Sequence, residues 1–423
     1  MPSAAAPLLR IAIIGGGPGG LGSAIALSAL ANVEVTVYEQ AKELREIGAG
    51  IQIGFNCWRV LELLGAADKV NGHSTIEVIH LNGVSGEVLK TTGAQKPLAR
   101  YQPQRVRRTR LQAALKSAVP YGIVKLNKRL SSLKNLDRGV KLNFDDGTDT
   151  IADLVVGADG IRSVVRQHIF PDHTIQFTGT TIFRVLIPAS SVAHIPEIHG
   201  VNTWWHGPKG HFYGSPVDDP EETSEEDQKF EIAARSVVDP TTAIGKRFSW
   251  GVPATKERVE AFFTDYDPIV REVLSKVPEG QWKEFSAFAG PRLEKLTGWD
   301  DKVVLIGDAS HPLSGAFGSG AAFALQDSWI LARAIEHTRS TGGLSAALEI
   351  FDSIRSPYYL RMYEHLDQQK KKIQTLSAAN PDQRHNDSLK ARVASFGGEG
   401  QLSWIYGNDI EEVWKAFVEN EKT

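Results

Sequence analysis

The sequence predicts an α/β fold in which a first domain with a parallel sheet is interrupted by a second domain of mainly antiparallel strands and is followed by C-terminal helices. Three observations lead to this prediction. A buried-strand pattern, a glycine-rich turn, a helix and a second strand follow one another over residues 11–38. A second aliphatic run and glycine-rich segment come at residues 303–320. Short runs of aromatic and β-branched residues between them are typical of antiparallel strands.

The first unit is a βαβ arrangement. The aliphatic run at residues 11–14 fits a strand buried on both faces, and it ends in a turn with five glycines at residues 15–20. Residues 21–30 are rich in Ala, Leu and Ile and predict a helix, and residues 33–38 alternate as a strand. Such a unit is the core of a Rossmann-like domain.

The turn between the first strand and the helix has the spacing of a dinucleotide-binding motif. Gly15 permits a tight turn, Gly17 lets the backbone approach a pyrophosphate at the helix N-terminus, and Gly20 lets the helix pack on the strand. Glu39, at the end of the second strand, is placed to accept hydrogen bonds from an adenosine ribose. The alternative is a glycine-rich turn without a ligand. FAD and NAD(P) share this unit, so it leaves the identity of the dinucleotide open.

The rest of the chain divides into recognisable stretches. Residues 122–160 predict a small antiparallel meander, and residues 177–253 predict further strands interrupted by an acidic, solvated loop at residues 218–227. Residues 303–306 return to the buried-strand pattern, and the pattern from residue 348 onward is helical.

Composition excludes several classes of function. With 47 Lys and Arg against 50 Asp and Glu, the net charge of −3 provides no basic field for nucleic acid. A single cysteine, Cys57, excludes disulfides within the chain and cysteine-rich metal sites, and it favours a cytoplasmic location. No apolar run approaches the length of about 18 residues that predicts a membrane span. His206 and His211 lack carboxylates or cysteines at ligand spacing, so we expect no metal.

Two segments carry a family resemblance. Residues 153–166 (DLVVGADGIRSVVR) and residues 303–312 (VVLIGDASHP) together resemble the group A aromatic-ring flavoprotein monooxygenases, in particular the salicylate-hydroxylase-like branch. The resemblance implies FAD and a Rossmann-like FAD-binding domain of the glutathione-reductase type, interleaved with an antiparallel substrate domain. The predicted domains are residues 1–178 with 285–370 for FAD, residues 179–284 for substrate, and a C-terminal helical segment, residues 371–423.

The resemblance also implies site residues. Arg108 matches an FAD-contacting arginine, and Asp308 matches the aspartate on the ribityl chain. Arg184 matches a position that projects from the substrate-domain sheet toward the flavin, where a cation would favour phenolate over phenol; the alternative is a strand arginine paired with a surface carboxylate. The predicted cofactor-binding residues are Gly15, Gly17, Gly20, Glu39, Gly50, Arg108, Asp159, Asp308, Gly320 and Ala321.

Tyr213 is the second predicted catalytic residue. The family often has an aromatic residue directly before the proline of this strand, where this chain has Ser215. Because side chains two residues apart point to the same face of a strand, Tyr213 is placed to supply the displaced phenol hydroxyl.

The implied activity is an FAD-dependent, NAD(P)H-consuming monooxygenation of a phenolic aromatic carbon through a flavin C4a-hydroperoxide. No second Gly-x-Gly-x-x-Gly follows a strand, so NADPH or NADH is expected to bind transiently. Gly315 stands where the family commonly has proline, which makes this loop similar to that of fungal hydroxylases acting on phenolic polyketides. Dearomatisation of a polyketide phenol and decarboxylative hydroxylation of a salicylate-like acid both stay open.

The sequence leaves two other functions open, and it leaves open the assembly of the chain, the roles of two arginines and the meaning of one aromatic motif. The rival functions are a flavin oxidoreductase without oxygen insertion and a non-catalytic FAD-binding module. The expected partners are a small aromatic substrate and O2, for a monomer or homodimer. Arg162 and Arg166 are either solvated helix residues or part of the site. Phe248-x-Trp250-x-Val252-Pro253 nearly matches the tryptophan motif of flavin-dependent halogenases, but its first aromatic residue differs.

Overall fold

The computed structural model describes residues 8–44, 49–93, 101–243, 245–379, 389, 393 and 402–421. Its strands are β1 (Leu9–Ile14), β2 (Val33–Tyr38), β3 (Gly50–Ile53), β4 (His73–Ser74), β5 (Glu77–Asn82), β6 (Val88–Gly93), β7 (Gln104–Arg107), β8 (Val124–Lys125), β9 (Leu130–Asn135), β10 (Val140–Phe144), β11 (Asp149–Ala152), β12 (Leu154–Gly157), β13 (Gln176–Pro188), β14 (Asn202–Gly207), β15 (Gly210–Pro216), β16 (Lys229–Val237), β17 (Trp250–Pro253), β18 (Lys283–Ala289), β19 (Thr297–Gly298) and β20 (Val303–Leu305). Its α-helices are α1 (Pro18–Ser28), α2 (Phe55–Leu63), α3 (Arg108–Ala118), α4 (Val164–Ile169), α5 (Lys256–Glu260), α6 (Pro268–Ser275), α7 (Gly320–Thr338), α8 (Gly343–Ala379), α9 (Ser403–Tyr406) and α10 (Ile410–Asn420).

A six-stranded sheet forms the first domain. Its order is β19-β20-β12-β1-β2-β8, and all pairs are parallel except β19 with β20. The central strands are buried on both faces, as the unbroken aliphatic runs predict. Helix α1 packs against α7, where Ser328 Oγ donates to Gly19 O at 2.9 Å. The Rossmann-like prediction is confirmed, and β20 returns to this sheet late in the sequence, beside β12.

An eight-stranded sheet forms the second domain. Its order is β17-β18-β13-β16-β15-β14-β5-β6, and its pairs are antiparallel except β14 with β5. One face packs on a core that includes Phe183, Trp205, Phe230 and Trp282. The mainly antiparallel second sheet is therefore confirmed. Strands β5 and β6 join it from residues 77–93.

Two small sheets complete the architecture. Strands β9, β10 and β11 form the antiparallel meander expected within residues 122–160. Strands β3, β7 and β4 form the other small sheet, which contacts the eight-stranded sheet through hydrogen bonds from Arg184 to Gly50 and from Arg105 to Glu231. The predicted helical segment at residues 371–423 lies partly outside the described residues, and the domain boundaries stay a prediction.

The described ranges contain neither a membrane-spanning helix nor a cluster of metal-ligating side chains. No helix in them combines the length and the apolar character that crossing a bilayer requires. No group of three or more His, Cys, Asp or Glu side chains in those ranges is arranged to hold a metal ion.

Candidate functional site

The glycines of the β1–α1 turn differ in what the chain itself demands of them. Gly15 has φ +106°, and a Cβ there would lie 2.5 Å from Ala158 O. A Cβ on Gly20 would lie 1.8 Å from Gly15 O. Gly17 has φ −74°, and a Cβ there would meet no described atom within 4 Å. The fold therefore requires Gly15 and Gly20, whereas Gly17 keeps a space in front of α1 clear.

That space fits a pyrophosphate. Gly17 caps α1 without a side-chain hydrogen bond, so the backbone N–H groups of the first turn face it together with the positive end of the helix dipole. Glu39 stands beside it, half-buried, with Oε2 accepting from Gly16 N–H at 2.6 Å and Oε1 from Ala41 N–H at 2.7 Å. The carboxylate thus ties the end of β2 to the glycine turn, at the place where a ribose would follow the pyrophosphate.

A second glycine-rich segment lies next to the first. Asp308 sits in the 3₁₀ turn Gly307–Ala309 that follows β20. Gly315 and Gly318 have φ of +69° and +66°, and the loop leads into α7, whose N-cap Ser319 makes no side-chain cap hydrogen bond. Gly320 and Ala321 open α7, and a Cβ on Gly320 would lie 3.7 Å from Asp308 Oδ1. Helices α1 and α7 both lack side-chain caps, and they pack together near their first turns, where a Cβ on Gly19 would lie 3.2 Å from Ala324 Cβ. We call the space in front of these two N-termini the flavin groove; helix N-termini of this kind suit the phosphates of a dinucleotide.

Arg166 supports the Asp308 turn by hydrogen bonds to its backbone carbonyls. Its side chain is 1% exposed, and Nη1 donates to Asp308 O at 3.2 Å and Ala309 O at 2.9 Å. Ser163 is the N-cap of the helix that carries Arg166, and Asp159 accepts hydrogen bonds there from Ser163 Oγ at 2.5 Å and Val164 N–H at 2.7 Å. The reading of Arg166 as a solvated helix residue is wrong, because a buried guanidinium with three carbonyl acceptors is a structural group.

The Asp308 turn also depends on a buried ion pair. Asp327 Oδ2 accepts from Gly307 N–H at 2.8 Å, and its Oδ1 accepts from Arg355 Nε at 2.6 Å and Tyr359 OH at 2.6 Å. Burial raises the pKa of Asp327, and the Arg355 charge opposes that rise. The sequence reasoning missed this pair, which lies on α7 and α8 and has no motif of its own.

Arg108 connects the cofactor side with the sheet of the second domain. It is the first residue of α3, and its N–H donates to Ala49 O at 2.9 Å. Burial raises the pKa of Asp308, and the charges of Arg108 and Arg166 oppose that rise. Burial lowers the pKa of Arg184, and the like charges of Arg105 and Arg108 lower it further, against the opposing effect of Glu231. Arg108 therefore acts on both Asp308 and Arg184.

Arg184 belongs to a buried ion cluster. Glu231 has no exposed surface and pairs with two arginines. Its Oε1 lies 2.5 Å from Arg184 Nη2, and its Oε2 lies 2.6 Å from Arg105 Nη2. Arg184 Nη2 also donates to Gly50 O at 2.7 Å. Burial alone would raise the pKa of Glu231, but the two guanidinium groups outweigh it and hold the pKa at about 2. The cluster carries one excess positive charge.

A glycine is needed at position 50 because the backbone of β3 lies directly against Glu231 and Arg105. A Cβ there would lie 2.2 Å from Glu231 Oε2 and 2.7 Å from Arg105 Nε. The backbone of β3 is thus pressed against the ion cluster. Neither Arg105 nor Glu231 was singled out from the sequence, although a lone carboxylate between Phe230 and Ile232 in a strand is a signal that a buried partner cation exists.

The face of the eight-stranded sheet that carries Arg184 has a continuous row of side chains. Register places Arg184, Ala233, Tyr213, Trp204 and His80 side by side across five strands. The ring centroids of Tyr213 and Trp204 are 4.7 Å apart. The Arg105 guanidinium carbon lies 5.1 Å from the centroid of the Tyr213 ring. Ser215, two residues on, is fully buried and donates to Asn202 Oδ1 at 2.5 Å. Arg184 and Tyr213 therefore share one face.

His80, which is followed in the row by Lys90 on β6, belongs to a buried imidazole pair. His80 Nδ1 lies 3.1 Å from His206 Nε2, and the two rings are stacked. Burial lowers the pKa of His80 to about 4, with a smaller effect of the Lys90 charge. The His80 imidazole is therefore neutral at pH 7 and adds no charge to the row.

Comparisons with known proteins show the family of the chain. The family model described as an FAD binding domain matches residues 9–364. A 6-hydroxynicotinate 3-monooxygenase from Bordetella bronchiseptica is 31% identical over 78% of this chain and 83% of its own length. A 6-methylsalicylate 1-monooxygenase from Aspergillus terreus is 28% identical over 96% of this chain and 90% of its own length.

Solved structures show the same fold. A salicylate hydroxylase substrate complex superposes with a TM-score of 0.76 at 22% identity, covering 97% of this chain and 98% of the other. From the site and these matches, the chain belongs to the FAD-binding-domain family and is an FAD-dependent aromatic-ring monooxygenase of the salicylate-hydroxylase branch.

Proposed function

We propose that the enzyme hydroxylates a phenolic aromatic compound whose ionised oxygen lies against Arg184 and Tyr213. The observation that carries this proposal is the Arg184 guanidinium, which stands in register with Tyr213 and Trp204 on one face of the sheet. Its Nε is buried and has no hydrogen-bond partner among the described residues. A phenolate oxygen is a suitable acceptor for that N–H.

The charge of the ion cluster supports an anionic substrate. Arg105 and Arg184 face one carboxylate, Glu231, so one positive charge remains without compensation inside the cluster, and Arg108 adds to it. A nearby cation lowers the pKa of a phenol and stabilises the charge that makes its ring more reactive toward an electrophilic oxygen. The aromatic rings of Trp204 and Tyr213 offer flat surfaces for such a ring.

The cofactor roles follow from the groove. We assign the pyrophosphate and adenosine ribose to Gly15, Gly17, Gly20 and Glu39, and the flavin half to Arg108, Asp308, Gly320 and Ala321. Gly50 and Asp159 support the groove from the β3 backbone and from the α4 cap. When bound, FAD supplies the redox and oxygen chemistry, and the protein supplies position, charge and exclusion of water.

The names of the relatives narrow the substrate class. Hydroxynicotinate, methylsalicylate and salicylate are hydroxylated aromatic acids. For a salicylate-like acid, attack on the carbon that bears the carboxylate releases CO2; for a polyketide phenol, attack on a substituted carbon dearomatises the ring. Release of CO2 together with the product distinguishes the two reactions.

The test is a substrate panel with labelled oxygen. Salicylate, 6-methylsalicylate and 6-hydroxynicotinate are offered with NADH or NADPH under ¹⁸O2, and one labelled oxygen atom per product is expected. Product without label would indicate a flavin oxidoreductase, and flavin that NAD(P)H never bleaches would indicate a non-catalytic module. Either result overturns the proposal.

Variants of the sheet face test the assigned roles. Arg184→Ala is expected to keep FAD but to lower product formed per NAD(P)H by about ten- to hundredfold, the effect of losing a charge-assisted contact. Arg184→Lys restores charge without the planar fork, and Tyr213→Phe is expected to show a weaker loss. Arg333→Ala, which removes a half-buried helix arginine paired with Glu336, is the matched control. Parental coupling in Arg184→Ala would refute the phenolate site.

Location and assembly are proposed from the sequence alone. We propose a cytoplasmic enzyme, in keeping with its single, buried cysteine Cys57, that acts as a monomer or homodimer. Cell fractionation and the mass measured in solution test these two statements.

A further inference from the structure

An aspartate of the acidic loop is buried against the first domain. Asp218 lies two residues after β15, and its side chain is 1% exposed. It pairs with Arg107 at the end of β7 and with Arg110 in the first turn of α3, whose Nη2 lies 3.1 Å from Asp218 Oδ1. Lys229 N–H, at the start of β16, donates to Asp218 Oδ2 at 2.7 Å. We call Asp218, Arg107 and Arg110 the Asp218 triad.

Both arginines of the triad also hold the far end of the same loop. Arg107 Nη2 donates to Asp227 O at 2.5 Å, and Arg110 Nη2 donates to Thr223 Oγ1 at 3.1 Å. The loop that joins β15 to β16 is therefore attached to β7 and α3 at both of its ends. Balancing the charge of one buried carboxylate would not require these further directed contacts.

The Asp218 triad continues the contact that Arg105 makes. Arg105 and Arg107 are two residues apart on β7, so their side chains leave the same face of that strand. Arg105 pairs with Glu231 on β16, so β7 meets the β15–β16 hairpin at two carboxylates, Glu231 and Asp218. One contact would let β7 pivot on the hairpin, whereas two contacts fix the direction of the strand.

Arg108 lies between the two arginines of the triad and acts elsewhere. It is the first residue of α3, and its charge opposes the rise in the pKa of Asp308 and lowers the pKa of Arg184. Because Arg107 and Arg110 are held by one carboxylate, the turn of backbone that carries Arg108 is held with them. The triad therefore fixes the position from which Arg108 acts on Asp308 and Arg184.

We propose that Asp218 is a positioning residue for the monooxygenation, which fixes Arg108 relative to the β15–β16 hairpin that carries Tyr213. The inference rests on the proposed function for the roles of Arg108 and Tyr213. If the hairpin shifts relative to the flavin groove, the reductant is still consumed but the ring is missed. NAD(P)H, a proton and O2 then yield NAD(P)+ and hydrogen peroxide, whereas productive turnover also consumes the aromatic substrate and yields hydroxylated product and water.

The first measurement is product formed per NAD(P)H consumed. The probe is salicylate, 6-methylsalicylate or 6-hydroxynicotinate, whichever gives the most product with the parent. Asp218→Asn is expected to lower this ratio at least about tenfold, because small misplacements of reacting groups are costly. Asp218→Glu keeps the charge and should lie between Asp218→Asn and the parent. Arg110→Gln should show a smaller loss, and adding it to Asp218→Asn should cause no further loss, because the two residues act as one unit.

Glu284→Gln is the matched control for lost stability. Glu284 is also a buried carboxylate with two cations, Lys246 and Arg258, but all three residues lie within the predicted substrate domain. Its loss is therefore expected to lower the urea midpoint about as much as Asp218→Asn does, since each change leaves two cations without their carboxylate. The product ratio of Glu284→Gln should nevertheless equal that of the parent.

A distance between spin labels tests the positioning without turnover. The single cysteine, Cys57, is buried, so labels attach selectively at Lys116→Cys on α3 and Val237→Cys at the end of β16, both exposed positions. Double electron–electron resonance on the FAD-loaded enzyme, without substrate or reductant, gives the distribution of this distance. It should be narrow in the parent and in Glu284→Gln, and broader or shifted in Asp218→Asn.

The outcomes separate positioning from stability and from the proposed function. A parental product ratio or an unchanged distance distribution in Asp218→Asn overturns the proposal. So does an equal loss of product ratio in Glu284→Gln, since lower stability alone would then explain the loss. If Asp218→Asn does not fold, Arg110→Gln is judged by the same two measurements. If none of the aromatic acids gives product even in the parent, the proposed hydroxylation fails, while the label distance still decides whether Asp218 holds α3 against the hairpin.

Discussion

Replacement of Glu231 by glutamine tests whether the buried ion cluster holds the second domain against the first. The carboxylate is fully buried, and its pKa lies at about 2 rather than at the ordinary 4.5 because Arg105 and Arg184 outweigh the effect of burial. The difference of about 2.5 pH units, at about 1.4 kcal/mol each, corresponds to about 3 kcal/mol. Removal of one partner from a buried ion pair typically costs about 3–5 kcal/mol, which agrees.

The sign of the pH dependence is fixed by the lowered pKa. Stabilisation by Glu231 is fully present above its unfolded-state pKa and is lost as pH falls toward about 2. The free energy of unfolding of Glu231→Gln should therefore lie about 3 kcal/mol below that of the parent at pH 7. The gap should narrow to less than half of that at about pH 3, because Glu231 is then largely protonated in the unfolded parent, whereas in the folded parent, with a pKa of about 2, it is still mostly ionised.

Urea unfolding measures this gap. Tryptophan fluorescence and far-ultraviolet circular dichroism are followed together, because coincident transitions justify a single free energy. Glu336→Gln is the matched control: Glu336 also has a 2.6 Å ion pair, with Arg333, but it is 53% exposed, so about 1 kcal/mol or less is expected. If Glu231→Gln unfolds within about 0.5 kcal/mol of the parent at pH 7, the cluster does not stabilise the domain contact.

Three further changes test the cofactor groove and its supports. The Gly17→Val variant should fold but fail to retain FAD, because a side chain at this position would meet no protein atom and would occupy only the space expected for the cofactor. The flavin content of the purified variant measures FAD binding, and its melting temperature shows whether it folds. Glu39→Ala should weaken FAD binding by about ten- to hundredfold, measured by equilibrium dialysis, while Glu34→Ala on the exposed side of the same strand should not. Gly50→Ala should destabilise the protein by about 1–3 kcal/mol through overpacking against Glu231, measured by thermal unfolding with Gly93→Ala as the open-space control.

The sequence allowed the cofactor turn to be predicted residue by residue, since the requirements there are local. Each of the three motif glycines is required or permitted for a different reason. Gly15 has the positive φ of the turn, Gly20 packs too closely for a side chain, and Gly17 borders open space. The strand, turn and helix around them follow one another without long-range help. Local periodicity was therefore sufficient to predict the fold class and the strand, turn and helix of this segment, and the contacts of these glycines with FAD stay a proposal.

Partners distant in sequence could not be predicted in the same way. Arg184 and Glu231 are 47 residues apart and are brought together by the pairing of β13 with β16. Arg105 and Glu231 are 126 residues apart and meet only because the small sheet packs against the eight-stranded sheet. The acidic stretch at residues 218–227 was expected to be solvated, yet its first residue, Asp218, is buried and paired with Arg107 and Arg110. A run of acidic residues in a sequence predicts a solvent-exposed segment. A cation from a distant part of the sequence can nevertheless pair with one of these residues and bury it.

The same long-range contacts explain how two sheets from separate stretches of chain present one site. An apolar contact between β3 and the eight-stranded sheet could be equally stable, because desolvation cancels much of the gain of a buried ion pair. It would not, however, fix an orientation. Arg184 must reach both Glu231 Oε1 and Gly50 O, and Gly50 admits that approach only because it has no side chain. These directed contacts set the distance and angle between the flavin groove and the sheet face that carries Tyr213, and the proposed oxygen transfer to a ring carbon depends on that geometry.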